Sequence, residues 1–215
     1  MPQKTFVNLP EDRKKEILNA CFEEFALKDY ESASLSSIIA KLGLAKGSFY
    51  RYFESKLDLY NFLGQFASNL VAANFVRYLN GSGTDFFQDW ADFFLSFSEI
   101  EKEYPMAIRF RFKAAFEQSS EVSTEQNLER PLERIRFMSD VFRKYQENGL
   151  IRKDIDLDFF SLLMTFFNFT LSEYIGLKYR IPQTSPLYAV DHEILKQETE
   201  NLLDIVRRGW LPQLT

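Results

Sequence analysis

Residues 34–53 read SLSSIIAKLGLAKGSFYRYF. Apolar side chains recur at helical spacing at Leu35, Ile38, Ile39 and Leu42, so the first part of the stretch predicts a short helix with one apolar face. Gly43 follows, where a residue in the left-handed conformation lets the chain turn at little cost. A second short helix comes after the turn. The pattern predicts a helix-turn-helix, a motif whose second helix can enter the major groove of DNA.

The chain after this turn carries a recognisable motif. It reads GLAKGSFYRYFESKLDL from Gly43 to Leu59 and resembles the signature of the TetR family of transcriptional regulators, most clearly in its Tyr-x-Tyr-Phe-x-Ser-Lys ending. The resemblance covers the chain from about Leu9 to Leu63. It implies an all-α protein with an N-terminal three-helix DNA-binding domain and a C-terminal helical bundle for ligand binding and dimerisation. We expect residues 1–54 to form the first domain and residues 55–215 the second, with the helix 55–79 linking them.

Three positions depart from the family pattern. Ala45 replaces the serine that usually opens the recognition helix, which removes an N-cap worth ~1 kcal/mol. Ser37 replaces the acid that usually completes a capping box with Ser34. Ile39 replaces a small residue and implies a different packing of the two helices. None of the three removes an expected DNA contact.

The charge distribution is compatible with DNA binding despite a net charge of −5. Between Lys41 and Lys56 four basic residues accompany a single acid, Glu54, which gives this stretch a local charge of +3. Salt screens charges over ~8–10 Å, so a local basic patch can outweigh a distant acidic surface.

We expect Phe49 and Phe53 to face inward, so that the residues between and before them face DNA. Lys56, in the first turn of the next helix, is placed to hold a backbone phosphate. The alternatives are a helix cap alone for Ser34, a weak helix position for Gly47, aromatic packing for the two tyrosines and a solvated lysine for Lys56. The candidate DNA-binding residues are Ser34, Ser36, Lys46, Gly47, Ser48, Tyr50, Arg51, Tyr52 and Lys56.

The rest of the chain predicts further helices. Residues before Leu9 look like a loose arm, and a helix with an apolar stripe through Cys21 follows Pro10. Ser55 and Asp58 have capping-box spacing at the start of a long helix that ends near Leu79. We expect this helix to couple the two domains, because it begins at the first and ends in the second. Later helices are expected through Phe86–Phe97, through Ile108–Phe116, through Leu132–Tyr145, over Leu157–Tyr179 and over Glu193–Arg208.

The helix over Leu157–Tyr179 is apolar on most of its circumference, so it must be buried from more than one direction. The family resemblance implies that the last two helices of two chains pair into a four-helix bundle, which makes the protein a homodimer on a palindromic operator. An intrachain core is the alternative for each residue. The candidate dimer-interface residues are Leu162, Phe166, Phe169, Ile194, Leu202, Ile205 and Val206.

Aromatic residues cluster in the C-terminal part, and the resemblance implies a small-molecule effector bound among them. Such a pocket would favour an apolar or aromatic effector. Ordinary core packing is the alternative for each side chain, and a solvated face is expected for Arg109 and Arg111. The candidate ligand-binding residues are Trp90, Phe94, Phe97, Phe112, Phe137 and Phe166.

Composition argues against other classes. One cysteine allows no internal disulfide, and one histidine with one cysteine leaves no zinc-ligand set. No Ser-His-Asp set is available beyond the single histidine, so we expect no metal, no cofactor and no catalytic residues. The start has no signal-peptide pattern and the most apolar run, residues 159–171, is too short for a membrane span, which favours a cytoplasmic protein. The function predicted is a ligand-responsive repressor. A helical protein-interaction module and an all-α enzyme with an aromatic pocket are the alternatives.

Overall fold

The computed structural model describes residues 2–81, 83–117, 119–122 and 125–208, and it defines their side chains except at Lys46, at residues 125–131 and at Arg208. Every regular element in these ranges is a helix, so the all-α prediction is confirmed. The elements are α1 (Lys4–Val7), α2 (Glu11–Leu27), α3 (Leu35–Lys41), α4 (Lys46–Phe49), α5 (Lys56–Tyr78), α6 (Phe86–Leu95), α7 (Phe97–Glu103), α8 (Ala107–Ala114), α9 (Glu125–Glu147), α10 (Leu157–Lys178) and α11 (His192–Arg208).

The helices form two compact units. Among the described residues, the first unit is formed within 1–71, 99–127 and 183–186, and the second within 72–98, 128–182 and 187–215. The first unit therefore includes α8 as well as the N-terminal helices. The functional division predicted between residues 54 and 55 stays a prediction.

The core of the first unit is aromatic. Phe22 and Phe25 of α2 are fully buried and pack on Phe110 of α8, with ring centroids 5.4 and 6.4 Å apart. Tyr60 of α5 joins the same cluster at 5.3 Å from Phe110. Cys21 is buried beside these residues, and burial raises the pKa of its thiol, which agrees with its predicted role as a small core residue.

In the second unit α6 and α11 pack against each other, as do α10 and α11. Phe86 of α6 lies 5.3 Å from Phe142 and 5.2 Å from Tyr145 of α9, measured between ring centroids. The Tyr145 hydroxyl donates to an oxygen of Asp89 at 2.6 Å, so the buried phenol is satisfied within the core.

Side-chain caps begin several helices, at Ser34 and Ser55 as the sequence predicted and also at Asp156. The Ser34 hydroxyl accepts from the Ser37 amide at 3.4 Å, and Asp156 accepts from the Phe159 amide at 2.9 Å. At the start of α5 the Ser55 hydroxyl accepts from the Asp58 amide at 3.0 Å. The Asp58 carboxylate reaches back and accepts from the amide of Glu54 at 3.2 Å. Each cap satisfies amides that the first turn of a helix leaves free.

Two sequence predictions were wrong in detail. The residues before Leu9 are not a loose arm, because they form α1 and bury Phe6. The single helix expected through Phe86–Phe97 is divided at Ser96, whose hydroxyl donates to the carbonyl of Phe93 at 2.6 Å. Such a bond to a nearby carbonyl competes with the helical pattern. The residues that follow the predicted last helix, from Gly209 onward, lie outside the described residues.

Candidate nucleic-acid interface

The turn between α3 and α4 has the predicted geometry. Gly43 has φ of +61°, a left-handed conformation that costs glycine little. The Leu44 amide donates to the carbonyl of Ile39 at 3.1 Å and closes the end of α3. Ile38 and Ile39 are buried beneath the turn. The apolar face of α3 therefore fixes where α4 begins.

The recognition segment, residues 46–53, is only partly helical. Regular helix is limited to the four residues of α4, and turns follow in which the Arg51 amide donates to the Ser48 carbonyl and the Tyr52 amide to the Phe49 carbonyl. Phe49 and Phe53 are both buried, with ring centroids 5.9 Å apart. Phe49 and Phe53 thus face inward, as the sequence predicted, and Tyr50 and Arg51 between them are exposed.

The candidate DNA-binding residues differ in exposure. Ser36, Gly47, Tyr50 and Arg51 are exposed, and Ser34, Ser48, Tyr52 and Lys56 are half-buried. The side chain of Lys46 lies outside the described residues. A contact of any of these residues with DNA remains a prediction.

The two tyrosines occupy different environments. Tyr50 exposes 42% of its surface, whereas the Tyr52 ring packs edge-on against Phe6 and Phe49 with centroids 6.1 and 6.5 Å away. The Tyr52 ring therefore packs against other aromatic rings, which is the alternative that the sequence left open for both tyrosines. Tyr50 is the more accessible of the two to a partner molecule.

The predicted local charge of +3 is partly neutralised. Lys41 forms an ion pair with Glu23 of α2, which no local pattern predicts because the two residues are 18 positions apart. Glu24 in turn accepts from the Ser34 amide at 2.8 Å and pairs with Lys28. Acidic side chains of α2 thus hold the start and the end of α3.

Lys56 is held by the loop between α2 and α3. Its ammonium donates to the carbonyl of Glu31 at 3.1 Å and lies 4.6 Å from the centroid of the Tyr30 ring. An ammonium has three donors, so this arrangement leaves capacity for a phosphate oxygen. It also gives the half-buried lysine a fixed position on the surface.

Sequence reasoning missed how this loop is anchored. The Tyr30 hydroxyl donates to Glu121 at 2.8 Å, and the Tyr30 amide donates to Glu117 at 2.9 Å. Lys113 of α8 pairs with Asp29 at 3.1 Å. Burial and the Glu121 hydrogen bond raise the pKa of the Tyr30 phenol, so it stays protonated as a donor. These partners lie more than 80 positions apart in sequence, and no local pattern links them.

Comparison with known proteins finds a family match for this part of the chain. Residues 17–62 match the N-terminal domain model of bacterial regulatory proteins of the tetR family. By this match residues 17–62 are of the tetR-family type. The match contains α3, the Gly43 turn and the recognition segment, so the interface described above is the one that defines the family resemblance.

Solved structures of TetR-family regulators share the fold over nearly the whole chain. A regulator from Chloroflexus aurantiacus J-10-fl is 23% identical, with 97% of this chain and 98% of the other covered and a TM-score of 0.66. The regulator FadR from Bacillus subtilis, in complex with stearoyl-CoA, is 15% identical, with coverage of 91% and 98% and a TM-score of 0.64. A gamma-butyrolactone receptor of the ArpA-like type is 18% identical, with coverage of 90% and 97% and a TM-score of 0.61. No curated protein matches significantly.

The dimer candidates Leu162 and Phe166 on α10 lie along a row of exposed apolar side chains. We define the α10 stripe as the large apolar side chains of this helix that are exposed. Successive members are three, one, three, eight and three residues apart, which keeps them on one side of a helix. The stripe consists of Phe159, Leu162, Leu163, Phe166, Tyr174 and Leu177. The candidate Phe169 is half-buried beside it.

The dimer candidates on α11 are less uniform. Ile205 is exposed, whereas Ile194, Leu202 and Val206 are half-buried. Leu202 and Val206 flank the buried Leu203, so their positions also suit the core alternative considered for each residue. On α11 the exposed apolar surface is confined to the edge that carries Ile205.

The ligand candidates fall into three groups. Trp90, Phe94 and Phe97 are buried in the second unit, and Phe112 is buried in the first. Phe137 and Phe166 are exposed, with Phe137 packed on Phe75 at 5.6 Å between centroids. The buried candidates have the environment of the core alternative. Whether any of them binds a ligand remains a prediction.

A polar group lies among the buried aromatic residues of the second unit. The hydroxyls of Ser172 and Tyr188 are 2.7 Å apart, and the Tyr188 ring is 5.3 Å from Phe94 and 5.8 Å from Phe97. One turn before Ser172 on α10, the buried Asn168 has a side-chain oxygen with no hydrogen-bond partner among the described residues. A buried acceptor without a donor is costly, so this oxygen is suited to a hydrogen-bond donor supplied by another molecule.

Within the described ranges, no helix is sufficiently long and apolar to cross a membrane. Among the same residues, no three side chains of histidine, cysteine, aspartate or glutamate converge as metal ligands.

Proposed function

We propose that this TetR-family protein is a DNA-binding repressor that binds a palindromic operator as a homodimer and releases it when a small apolar or aromatic effector binds. The observation that carries the proposal is the outer face of the recognition segment. It presents an exposed tyrosine, an exposed arginine and polar small residues above a buried phenylalanine anchor.

The chemistry of this face suits duplex DNA. The Tyr50 hydroxyl and the Arg51 guanidinium can donate hydrogen bonds to phosphates or to base edges. Gly47 has no side chain and admits close approach of the backbone. Lys56, fixed over the Tyr30 ring, provides a positive charge at the beginning of α5. These groups are the donors that a helix-turn-helix needs on its DNA side.

The α10 stripe supports the homodimer. Large apolar side chains exposed along one face of a 22-residue helix are unusual on a monomer surface, where contiguous apolar patches are small. A two-fold axis would pair the stripe with its own copy, because an isologous interface uses the same patch twice. Two recognition segments would then read two half-sites about one helical turn apart, ~34–36 Å.

The polar group at Asn168, Ser172 and Tyr188 supports an effector of a definite chemical type. The aromatic rings of Phe94 and Phe97 beside Tyr188 favour an apolar body. The unpartnered oxygen of Asn168 favours one hydrogen-bond donor, such as a hydroxyl or an amide N–H. An acyl or aromatic molecule that carries such a donor is the effector class we propose. Among the proteins of similar fold, one is in complex with stearoyl-CoA and another is a gamma-butyrolactone receptor, so an acyl-type ligand is a natural first choice for screening.

Two features offer a route from effector to DNA. Helix α5 begins at Lys56 and continues without a break to Tyr78, passing from the first unit into the second at residue 72. Within the first unit, the Glu117 and Glu121 bonds to Tyr30 tie the segment after α8 to the loop that holds Lys56. A change in either element would move a predicted phosphate contact.

The effector acts as an inducer in this proposal because it favours the state that does not bind DNA. An effector with equal affinity for the DNA-binding and the non-binding state would not change their populations, however tightly it bound. By linkage, the operator must weaken effector binding by the same factor by which the effector weakens operator binding.

The experiment has two stages. A selection from random duplexes yields the operator, and fluorescence anisotropy across a salt series then compares the wild type with Tyr50→Ala. We expect tight binding with a steep salt dependence for the wild type. We expect the variant to bind at least tenfold more weakly, the effect of removing one specific interaction from each head.

Tyr50→Phe is the matched control for this experiment, because it keeps the ring and removes only the hydroxyl. Selection that enriches no sequence in the presence or absence of cell-extracted small molecules would contradict the proposal. The same preparation, tested for turnover of acyl esters, addresses the enzyme alternative. We propose a cytoplasmic location and no catalytic activity.

A further inference from the structure

The first residues of the chain are bound to the end of the recognition segment. The Gln3 amide donates to the carbonyl of Tyr52 at 2.9 Å. Phe6 of α1 is 4% exposed, and its ring centroid lies 6.1 Å from Tyr52, 5.0 Å from Phe53 and 5.8 Å from Phe62. A backbone hydrogen bond and an aromatic cluster therefore join two segments that are distant in the sequence.

This attachment meets a structural need of the recognition segment. Its regular helix has four residues, and a helix of that length has little stability of its own in water. The residues that carry the candidate contacts Tyr50, Arg51 and Tyr52 follow that helix as turns. The Tyr52 carbonyl lies in these turns, outside the helical hydrogen-bond pattern, and the Gln3 amide supplies a donor for it.

The aromatic contacts act on the same residues from a second direction. Phe6 packs on both Tyr52 and Phe53, and Phe62 of α5 closes the cluster at 5.5 Å from Phe53. Phe53 is the inner anchor of the recognition segment, so a side chain that fixes Phe53 also fixes the direction of the outer residues. Aromatic pairs of this kind add specific geometry to the area they bury.

We propose that residues 3–6, here called the N-terminal splint, are a positioning element of the DNA-binding surface. The splint holds the backbone at Tyr52 through Gln3 and the inner anchor at Phe53 through Phe6. Tyr50 and Arg51 are thereby kept in the arrangement that fits the operator. The inference rests on the proposed DNA-binding function and adds to it a set of residues outside the helix-turn-helix.

The backbone of Gln3 permits a single-bond test. Gln3 has φ of −73° and ψ of 159°, values that proline adopts without strain. Gln3→Pro therefore deletes the N–H and places a ring methylene against the Tyr52 carbonyl, while Gln3→Ala changes the side chain and keeps the N–H. We expect Gln3→Pro to weaken operator binding about fivefold or more, the size of one net hydrogen bond, and Gln3→Ala to stay within about twofold of the wild type.

A second pair of variants tests the aromatic contact. Phe6 is buried, whereas its neighbour Val7 is 53% exposed on the same short helix. We expect Phe6→Ala to weaken operator binding more than about tenfold, Phe6→Leu to restore most of the affinity and Val7→Ala to have no effect.

Two readouts separate positioning from a general loss of stability. The first is the slope of log affinity against log salt, which becomes shallower by about one for each phosphate that a variant no longer binds. A smaller folded fraction lowers the affinity and leaves that slope unchanged. The second is amide hydrogen exchange of residues 51–53 in the free protein, which we expect to be faster in Gln3→Pro than in Gln3→Ala.

The outcomes are distinct. The proposed role of the splint would be refuted if Gln3→Pro and Phe6→Ala both kept the wild-type operator affinity, the wild-type salt slope and the wild-type amide exchange at residues 51–53. Faster exchange in these variants together with a wild type that selects no operator would overturn the proposed function, and with it the role of the splint in DNA binding. Faster exchange with weaker, shallower operator binding would support both.

Discussion

The recognition segment and the α10 stripe both expose side chains, but they do so by opposite means. The recognition segment is a four-residue helix with turns, held from beneath by Phe49 and Phe53, and its outer face is polar. Helix α10 has 22 residues and an N-cap at Asp156, and its outer side carries the large apolar side chains of the α10 stripe. The polar face suits a charged partner in water, whereas the apolar face gains free energy only when another apolar surface covers it. The difference indicates two kinds of partner for one chain.

The strongest test of this comparison places a charge in the α10 stripe. We expect Leu162→Arg to abolish the dimer in sedimentation and to weaken operator binding more than about 100-fold, because linking two heads multiplies affinity by ~10²–10⁴. Leu132→Arg on α9 is the matched control, since Leu132 is also an exposed leucine of the second unit. If the Leu162→Arg dimer were as stable as that of the wild type, the α10 stripe would not be part of the dimer interface.

The next test examines the polar surface at Lys56. We expect Lys56→Gln to weaken operator binding about fivefold and to reduce the salt slope by about one per head, because each head would then bind one phosphate fewer. Lys102→Gln, a change of an exposed lysine in the last turn of α7, should leave both quantities unchanged. An unaltered salt slope in Lys56→Gln would show that this ammonium serves only the Glu31 carbonyl and the Tyr30 ring.

A smaller effect is expected where α10 meets α11. Lys178 and Tyr179 both donate to Glu198 at 2.6 Å. The Lys178 hydrogen bond, followed by that of Tyr179, lowers the pKa of the Glu198 carboxyl and outweighs its desolvation. We expect Glu198→Gln to lower the free energy of unfolding by on the order of 1 kcal/mol at pH 7.

The pH dependence of this difference has a definite sign. A carboxyl with a lowered folded pKa contributes its full stability above the unfolded value, which is about 4.3 for glutamate. The contribution is lost as the pH falls through the folded pKa. The difference between wild type and Glu198→Gln, measured by urea unfolding, should therefore be constant from about pH 6 to 8 and shrink below about pH 4. A constant difference down to about pH 3 would contradict the assignment.

The smallest expected effect concerns helix caps. Asp156 caps α10, but the residue before α4 is Ala45, which has no capping side chain. We expect Ala45→Ser to raise the free energy of unfolding by ~0.5–1 kcal/mol, because serine can accept from a free amide of the first turn. Ala45→Val should give no gain, and thermal unfolding of the three proteins measures the difference. Equal stability of all three would show that another group already satisfies those amides.

Features with a local pattern were predictable from the sequence. The positive φ of Gly43 follows from its place after the apolar face of α3, and the buried pair Phe49 and Phe53 follows from their spacing of four residues. Asp156 as the cap of α10 was likewise predictable, because this acid precedes a long apolar run. In each case the interacting residues lie within one or two helical turns, where periodicity and capping rules apply.

Features that join distant parts of the chain were not predictable. Phe6 stands alone in a short segment with no period, so its burial against Phe53 had no signal in the sequence. The Lys41–Glu23 ion pair reduces the charge assigned to the recognition stretch, although both residues look like ordinary surface residues. Tyr30 and Glu121 are separated by 91 positions. Such pairs depend on which helices pack together, which one sequence without a structure leaves open.

The sequence by itself determined that the chain is helical, where its turn and its main caps lie, and that it carries a TetR-type helix-turn-helix. These properties follow from short-range periodicity and backbone preference. Only the tertiary structure decided that Tyr52 packs into an aromatic cluster while Tyr50 is exposed, and that Lys56 lies above the Tyr30 ring. It also decided that Gln3 and Phe6 contact the recognition segment. The physical reason is that exposure and partnership are set by packing between residues far apart in the chain, which local preference does not encode.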